Sequence, residues 1–360
     1  MNRLLLITVG IVGFSIGAPA EPVIPFLPSP QNVSTVPPNG DVNPYGVAFV
    51  PEDFQSKGGP MRPRDILVSN FNNANNLQGT GTTIVRIGAD GSFSTFFTTP
   101  NAQLGGPGTG LSTALAILKK GFIIVGSVPS ADGTIGTSSP GSLLVIDGKG
   151  NLLNMISDPA INGPWDMTVD DRGDNVIAFV SNVFNGTVLR LDLRLTSTGA
   201  TVVKKTVIAS GYQHRGDSVA FVVGPTGLAY DQDRDVLYVA STEDNAVYAI
   251  QNAERTSRNN GTGRIVYNDA THLHGPLGLV ASPNGHLLVT NSDVINSDPT
   301  QPSEIVEFTA TGKFVTQLSV DPGQGGSFGL AVNVKDNIAT FAAVDDNTAS
   351  LLIWTLLVQD

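Results

Sequence analysis

The chain alternates short apolar runs with polar or Gly/Pro turns, and no segment keeps a helical period over several turns. One phrase precedes the runs again and again. It reads Asn43-Pro44-Tyr45-Gly46-Val47-Ala48-Phe49, then Gly163-Pro164-Trp165-Asp166-Met167-Thr168-Val169, Gly224-Pro225-Thr226-Gly227-Leu228-Ala229-Tyr230 and Gly275-Pro276-Leu277-Gly278-Leu279-Val280. A worn copy is Gly326-Ser327-Phe328-Gly329-Leu330-Ala331-Val332, and a weaker one surrounds Ala114-Leu115-Ala116-Ile117. Aligned on the small residue after the turn (Gly46, Ala114, Asp166, Gly227, Gly278, Gly329), the copies lie 68, 52, 61, 51 and 51 residues apart. After each copy come a turn and a second apolar run, such as Val236-Leu237-Tyr238-Val239-Ala240-Ser241 or His286-Leu287-Leu288-Val289-Thr290-Asn291. A third run follows a polar loop, as in Thr187-Val188-Leu189-Arg190-Leu191, and a fourth usually follows a Gly turn, as in Asp90-Gly91-Ser92-Phe93.

A self-similar unit of this size signals a repeat architecture, and four short strands per unit make the blade of a β-propeller. Six copies predict an all-β, six-bladed propeller. The last copy has only 32 residues, from Gly329 to Asp360, which is room for three strands. An exposed sheet edge is a liability, and Asn32-Val33-Ser34-Thr35-Val36 can supply the missing strand. The expected ring is therefore closed by an N-terminal strand in the last blade. The expected organisation is a signal peptide over 1–20, a Pro-rich extended lead-in over 21–31, and one propeller domain over 32–360.

The N-terminus sets the expected compartment. Met1-Asn2-Arg3 is basic, Leu4 to Gly17 is apolar, and Ala18-Pro19-Ala20 is a small-x-small cleavage site. The apolar run is shorter than the ~20 residues that span a bilayer. A secreted or periplasmic protein with no membrane span, and a monomer, is the expectation. There are no cysteines, so an exported fold must be held by packing alone. The net charge of −11 argues against nucleic acid as a partner. It leaves two readings, solubility or a face that binds cations.

The phrase Gly-Pro-x-Gly-Leu-Ala, Pro283-Asn284-Gly285-His286-Leu287-Leu288-Val289-Thr290-Asn291 and Ser241-Thr242-Glu243-Asp244-Asn245-Ala246-Val247-Tyr248-Ala249-Ile250 resemble the NHL repeat. The resemblance covers nearly all of the chain after the leader. It implies a six-bladed propeller of the NHL and gluconolactonase-like superfamily, whose members include binding modules, lactonases and lyases. Fold does not settle function. Gluconolactonase-like members usually open with Glu-Gly-Pro-x-Trp, whose Glu binds calcium, whereas this chain opens with Asn43-Pro44-Tyr45-Gly46. The Trp-Phe-Thr-Glu of streptogramin-lyase-like repeats is replaced by Leu-Val-Thr-Asn and Val-Ala-Ser-Thr. Both departures weaken a direct transfer of activity.

Chemistry is sought where a copy breaks the pattern. The segments leading into each inner strand and those after each second strand share one face, around the channel mouth. They carry Asn70, Trp165, Asn182, Glu243 and Asn291 as candidate ligand-binding residues, with Asn291 to Asp293 and Asp345-Asp346-Asn347 on the same oxygen-rich rim. Such oxygens suit calcium, and the same residue types also serve turns. Asp166 stands where four other copies have Gly and one has Ala, a violation expected at a functional or strained site. It could equally cap backbone amides. His272 and His274 alternate on a segment that, if extended, points both rings one way, and His214 would complete a zinc-like set. Loop histidines are otherwise simply solvated. The candidate catalytic residues are thus Asp166, His272 and His274, and the candidate metal ligands Asp166, Asn182, His214, His272 and His274.

Other enzyme signals are poor. Gly105 to Gly110 lacks the Lys of a phosphate loop, there is no nucleophile elbow, and Gly216-Asp217-Ser218 reads as a turn. Two functions remain. One is a secreted binding or interaction module for a small molecule, glycan or protein. The other is a metal-dependent hydrolase or lyase of the gluconolactonase-like kind, with calcium or zinc at the mouth.

Overall fold

The computed structural model describes residues 30–100 and 109–358. The proposed leader, most of the lead-in and most of the Gly105–Gly110 stretch lie outside them. Six four-stranded antiparallel sheets are arranged around an axis. Their inner strands are Val42–Phe49, Leu111–Leu118, Pro164–Asp171, Pro225–Asp231, Pro276–Ala281 and Ser327–Lys335. Each inner strand adjoins the inner strands on both sides, including that of blade 6 against that of blade 1. Among the described residues the one helical piece is a 3₁₀ turn, Ile135–Thr137.

Blade 6 takes three strands from the C-terminal segment, Ser327–Lys335, Ile338–Asp345 and Ser350–Leu357, and its outermost strand, Gln31–Ser34, from the N-terminal side. The pairing runs Gln31 with Ile353 to Ser34 with Ser350. The expected closure is therefore the observed one. Thr35 extends it by giving both its N–H and its hydroxyl to Ala349 O, at 2.9 and 2.8 Å.

The repeated phrase is a β-bulge at the start of every inner strand. The register slips between Pro44 and Val47, Leu111 and Leu115, Pro164 and Met167, Pro225 and Leu228, Pro276 and Leu279, and Ser327 and Leu330. A bulge leaves backbone groups out of the ladder, and hydroxyls collect them. Gly46 donates to Ser69 Oγ (3.0 Å), Asp166 N–H to Ser181 Oγ (3.0 Å) and Gly278 to Thr290 Oγ1 (2.7 Å). The same hydroxyls then donate across to the next blade, at Ser112 O, Thr226 O and Phe328 O. Ser112 Oγ to Pro164 O and Thr242 Oγ1 to Pro276 O make the corresponding crossings from blades 2 and 4.

These crossings hold the blades close enough to exclude a side chain. A Cβ on Gly278 would lie 2.2 Å from Phe328 O, and one on Gly329 would lie 2.1 Å from Tyr45 O. Between each pair of blades sits a separate apolar core. Ala114, Leu143, Val180 and Leu191, for example, fill the space between blades 2 and 3, and Val47, Val85, Val344 and Leu351 that between blades 6 and 1.

Blade 3 departs from the expected pattern. Its outer strands are long, Thr187–Thr196 and Gly199–Ser210, and a hairpin, Arg215–Asp217 with Phe221–Val223, follows before blade 4 begins. Asp217 Oδ1 receives the N–H groups of Val219 and Ala220 and so forms the turn of that hairpin.

Gly278→Ala should destabilise the ring by about 1–3 kcal/mol, the usual cost of overpacking against backbone. Gly136→Ala, whose Cβ would meet nothing closer than 3.9 Å, should be near neutral. Denaturant midpoints of the two variants check this.

Candidate functional site

The residue between the Pro and the small slot of each phrase turns toward the axis at the mouth. In blades 1, 3, 5 and 6 it is Tyr45, Trp165, Leu277 and Phe328. Together with Phe71, Val128, Val183, Phe221 and Val222 they form one apolar cluster. Tyr45 stacks obliquely on Phe328 (4.6 Å between ring centres) and meets Trp165 edge-on (5.6 Å). Phe71 lies against Trp165 at 5.4 Å. The hairpin contributes Phe221, at a left-handed φ of 68°, in contact with Phe71 (5.5 Å). An apolar plug thus closes the axis.

Beyond the plug the inner strands enclose a cavity of about 340 Å³. Its walls mix aliphatic side chains, including Leu115, Ile117, Met167, Leu228, Leu279 and Leu330, with Thr113, Thr168 and backbone polar groups, and Asp166 is the one titratable group that lines it. Asp166 Oδ2 accepts the Leu228 N–H at 2.7 Å, reaching from blade 3 to a bulge amide of blade 4. Burial pushes its carboxyl up to about 7, opposed by the amides of Leu228 and Met167. It caps a backbone amide and lines the channel at once.

The three asparagines share another role. Asn182 Nδ2 donates to Ala160 O (2.9 Å) and Thr187 Oγ1 (3.0 Å), and its Oδ1 accepts the Asn162 N–H (3.0 Å). Asn291 does the same with His272 O, Glu304 Oε2 and the His274 N–H. Asn70 Nδ2 reaches Thr35 O and Thr83 Oγ1, both at 3.2 Å. Each sits at the end of a second strand and ties down the segment that leads into the inner strand. Trp165 belongs to the plug, and Glu243 Oε1 pairs with Arg215 Nε at 3.0 Å.

The histidines are not brought together. Residues 269–273 form a turn, with the His272 and Leu273 N–H groups both on Asp269 O, so the alternation of an extended segment does not apply. His272 Nδ1 meets Asp269 Oδ2 at 2.5 Å, and its ring stacks on Phe314. His274 is buried, with Nδ1 on Asn296 O at 2.5 Å. His214 is exposed and bonds Tyr212 O through Nδ1. Among the described residues no three His, Asp or Glu side chains converge on a metal-sized site. Asp166, His214, His272 and His274 do not come together as a metal site: aromatic and apolar side chains hold the axis, and Asp166 is the one titratable group lining the channel.

Off the axis, on the mouth face, lies a cleft of about 330 Å³ between blades 1, 5 and 6 and the hairpin. Tyr45 and Phe328 border it on the plug side, and no Lys, Arg or His lines it. Asp293 Oδ2 accepts the N–H groups of Ser303 and Gly325, both at 2.8 Å, while its buried Oδ1 has no partner. Asn43 Oδ1 is likewise buried without a partner. Asp346 is pushed up to about 7, first by burial and then by Asp345 beside it. Burial also raises Asp293. Asp293 and Asp346 were legible as rim residues; Asn43 was not singled out. Its signal was the same as that of Asp166, a departure from the Gly of Gly163 and Gly275 at a left-handed position (φ 56°, against 71° and 78°).

No family profile and no curated protein matches this sequence. Solved structures do match its shape. A calcium-binding regucalcin from Agrobacterium tumefaciens superposes with a TM-score of 0.52 at 12% identity, over 91% of this chain and 95% of its own. A gluconolactonase from Xanthomonas campestris gives 0.51 at 13%, over 94% and 99%. A putative oxidoreductase (glucose dehydrogenase) from Thermus thermophilus gives 0.53 at 12%, over 91% and 100%. The shared property is the six-bladed propeller fold.

A carboxyl raised from 3.8 to about 7 favours the folded state while protonated. That stability is complete below the ordinary carboxyl range and is lost as pH rises through about 7. Asp166→Asn keeps an acceptor for Leu228 and should remove part of the decline in melting temperature between pH 4 and 7. Asp346→Asn should remove another part. Asp166→Ala should cost about 1–3 kcal/mol at every pH, because the Leu228 N–H loses its partner.

Proposed function

We propose that the protein is an exported ligand-binding propeller whose mouth-face cleft takes a small organic cation, an ammonium-bearing molecule with an apolar body. The observation that carries this reading is the lining of the cleft: Asn43, Asp293 and Asp346 border it, Asn43 Oδ1 and Asp293 Oδ1 are buried without a partner, and no cationic side chain lines the space. An unpaired buried acceptor costs about 1–3 kcal/mol, and an ammonium brings three donors and a charge. The rings of Tyr45 and Phe328 line the cleft, and an aromatic ring attracts a cation. A cleft of about 330 Å³ suits a molecule of amine-metabolite size rather than a polymer.

A second reading is favoured by Asp166. A buried carboxyl near pKa 7 that lines the channel has the protonation balance of a general acid or base. The likeness to a gluconolactonase supports a lactonase-like hydrolase on this fold. The metal-dependent form of that reading finds no cluster of three His, Asp or Glu side chains among the described residues.

Calorimetric titration with n-butylammonium separates the readings. Binding should be present at pH 8, weaken on the order of tenfold in Asp293→Asn and in Asp346→Asn, and weaken at pH 6, where Asp346 is protonated. Equal binding of n-butanol, or none of either compound, overturns the cation reading. Turnover of a δ-lactone that is lost in Asp166→Asn and kept in Asp293→Asn would establish the enzyme instead.

A further inference from the structure

The plug separates the channel from the mouth, and the channel meets solvent at its other end. Tyr45, Trp165 and Leu277 are buried in the plug. Further along the same set of inner strands, Ala48, Thr168, Val169, Val280 and Val332 line the channel and are only half-buried. Water therefore reaches the channel wall from the face opposite to the mouth. From the slot toward that face the inner strand of blade 3 runs on from Asp166 to Val169, about 10 Å at the usual rise of a strand.

The plug end of the channel carries the polar side chains. Thr113 stands just before the slot of blade 2, and Asp166 fills the slot of blade 3. Both line the cavity and both are at least nine-tenths buried. Thr113 Oγ1 has no partner. Asp166 receives backbone amides but no counter-charge, and burial dominates its environment. Among the described residues no Lys, Arg or His lines the channel. A buried carboxylate without a cation is costly. Beyond this end Leu115, Leu279 and Leu330 give the wall its aliphatic part. An ammonium brings a charge and three donors to the polar end. An alkyl tail on the same molecule gains from the aliphatic part.

We propose that the channel is a second binding site, entered from the face opposite to the mouth, for an alkylammonium whose head lies at Asp166 and Thr113 and whose tail runs along the aliphatic wall. It is distinct from the mouth cleft: its acid is Asp166 rather than Asp293 or Asp346, and the plug stands between the two.

Titration of Asp293→Asn with n-hexylammonium reads the channel while the mouth cleft is weakened. The cleft is judged by what that substitution removes and the channel by what it leaves, so either site can fail alone. At pH 8 affinity should rise about fourfold per methylene from n-butylammonium to n-hexylammonium. Adding Asp166→Asn should weaken it on the order of tenfold. Undiminished binding in that double variant, or equal binding of n-hexanol, overturns the proposal. A second measurement does not depend on Asp166→Asn. In Asp293→Asn with Asp346→Asn, binding at pH 6 should release close to one proton from Asp166, read from the heat in buffers of different ionisation enthalpy. Absence of proton release overturns the proposal as well. The route is tested in a chain with no cysteine of its own. A bulky maleimide on Thr168→Cys, in the channel wall, should block n-hexylammonium. The same label on Val219→Cys, 76% exposed at the mouth face, should leave its binding unchanged. The opposite pattern overturns entry from the far face.

Discussion

Everything in this propeller hangs on the bulge that begins each inner strand. The bulge frees an N–H, a Ser or Thr hydroxyl takes it, and in blades 1, 3 and 5 the same hydroxyl donates to a carbonyl of the next blade. This small exchange fixes the distance between blades, and that distance excludes a Cβ at Gly278 and Gly329. It also fixes what the phrase presents to the axis. The residue just before the slot must turn inward, so its chemistry decides what the mouth of the ring can do.

In this chain that position is mostly aromatic or aliphatic, and the consequence spreads outward. Tyr45, Trp165, Leu277 and Phe328 shut the axis, so polar chemistry is displaced to two places that the plug keeps apart. One is the channel behind it, with Asp166. The other is the off-axis cleft, with Asn43, Asp293 and Asp346. Both are marked by a polar residue where the repeat prefers glycine. Asn43 keeps the left-handed turn that glycine serves elsewhere. Asp166 uses the slot to reach a neighbouring bulge amide. A repeat fold can change function at such points because its other copies carry the stability.

This also explains what the sequence revealed. The blades were legible because each copy repeats a local rule, and the ring closure because the last copy was one strand short. Asp166 was legible as a broken rule. The asparagines were legible as special positions but not as clamps, since only the fold brings Asn182 beside Ala160 and Asn162. The paired histidines failed for a local reason: a turn over residues 269–273 replaces the extended backbone on which their alternation depended. The hairpin that supplies Phe221 occurs once and has no second copy to reveal it.

The two acids near pKa 7 pull the protein in opposite directions. The fold alone prefers both neutral, because each ionised carboxylate sits in a site that solvates it poorly. A cation in the mouth cleft prefers Asp346 ionised, and linkage requires that its binding release the proton. A ligand there returns stability in the range where the empty ring loses it, and returns more as the pH rises toward 7, levelling off above it. Asp166 lies behind the plug and gains nothing from that ligand. Its ionisation stays a cost that only an occupant of the channel could offset. A protein stabilised by ligand above pH 7, with the slope due to Asp166 left intact, would therefore report which side of the plug the ligand occupies.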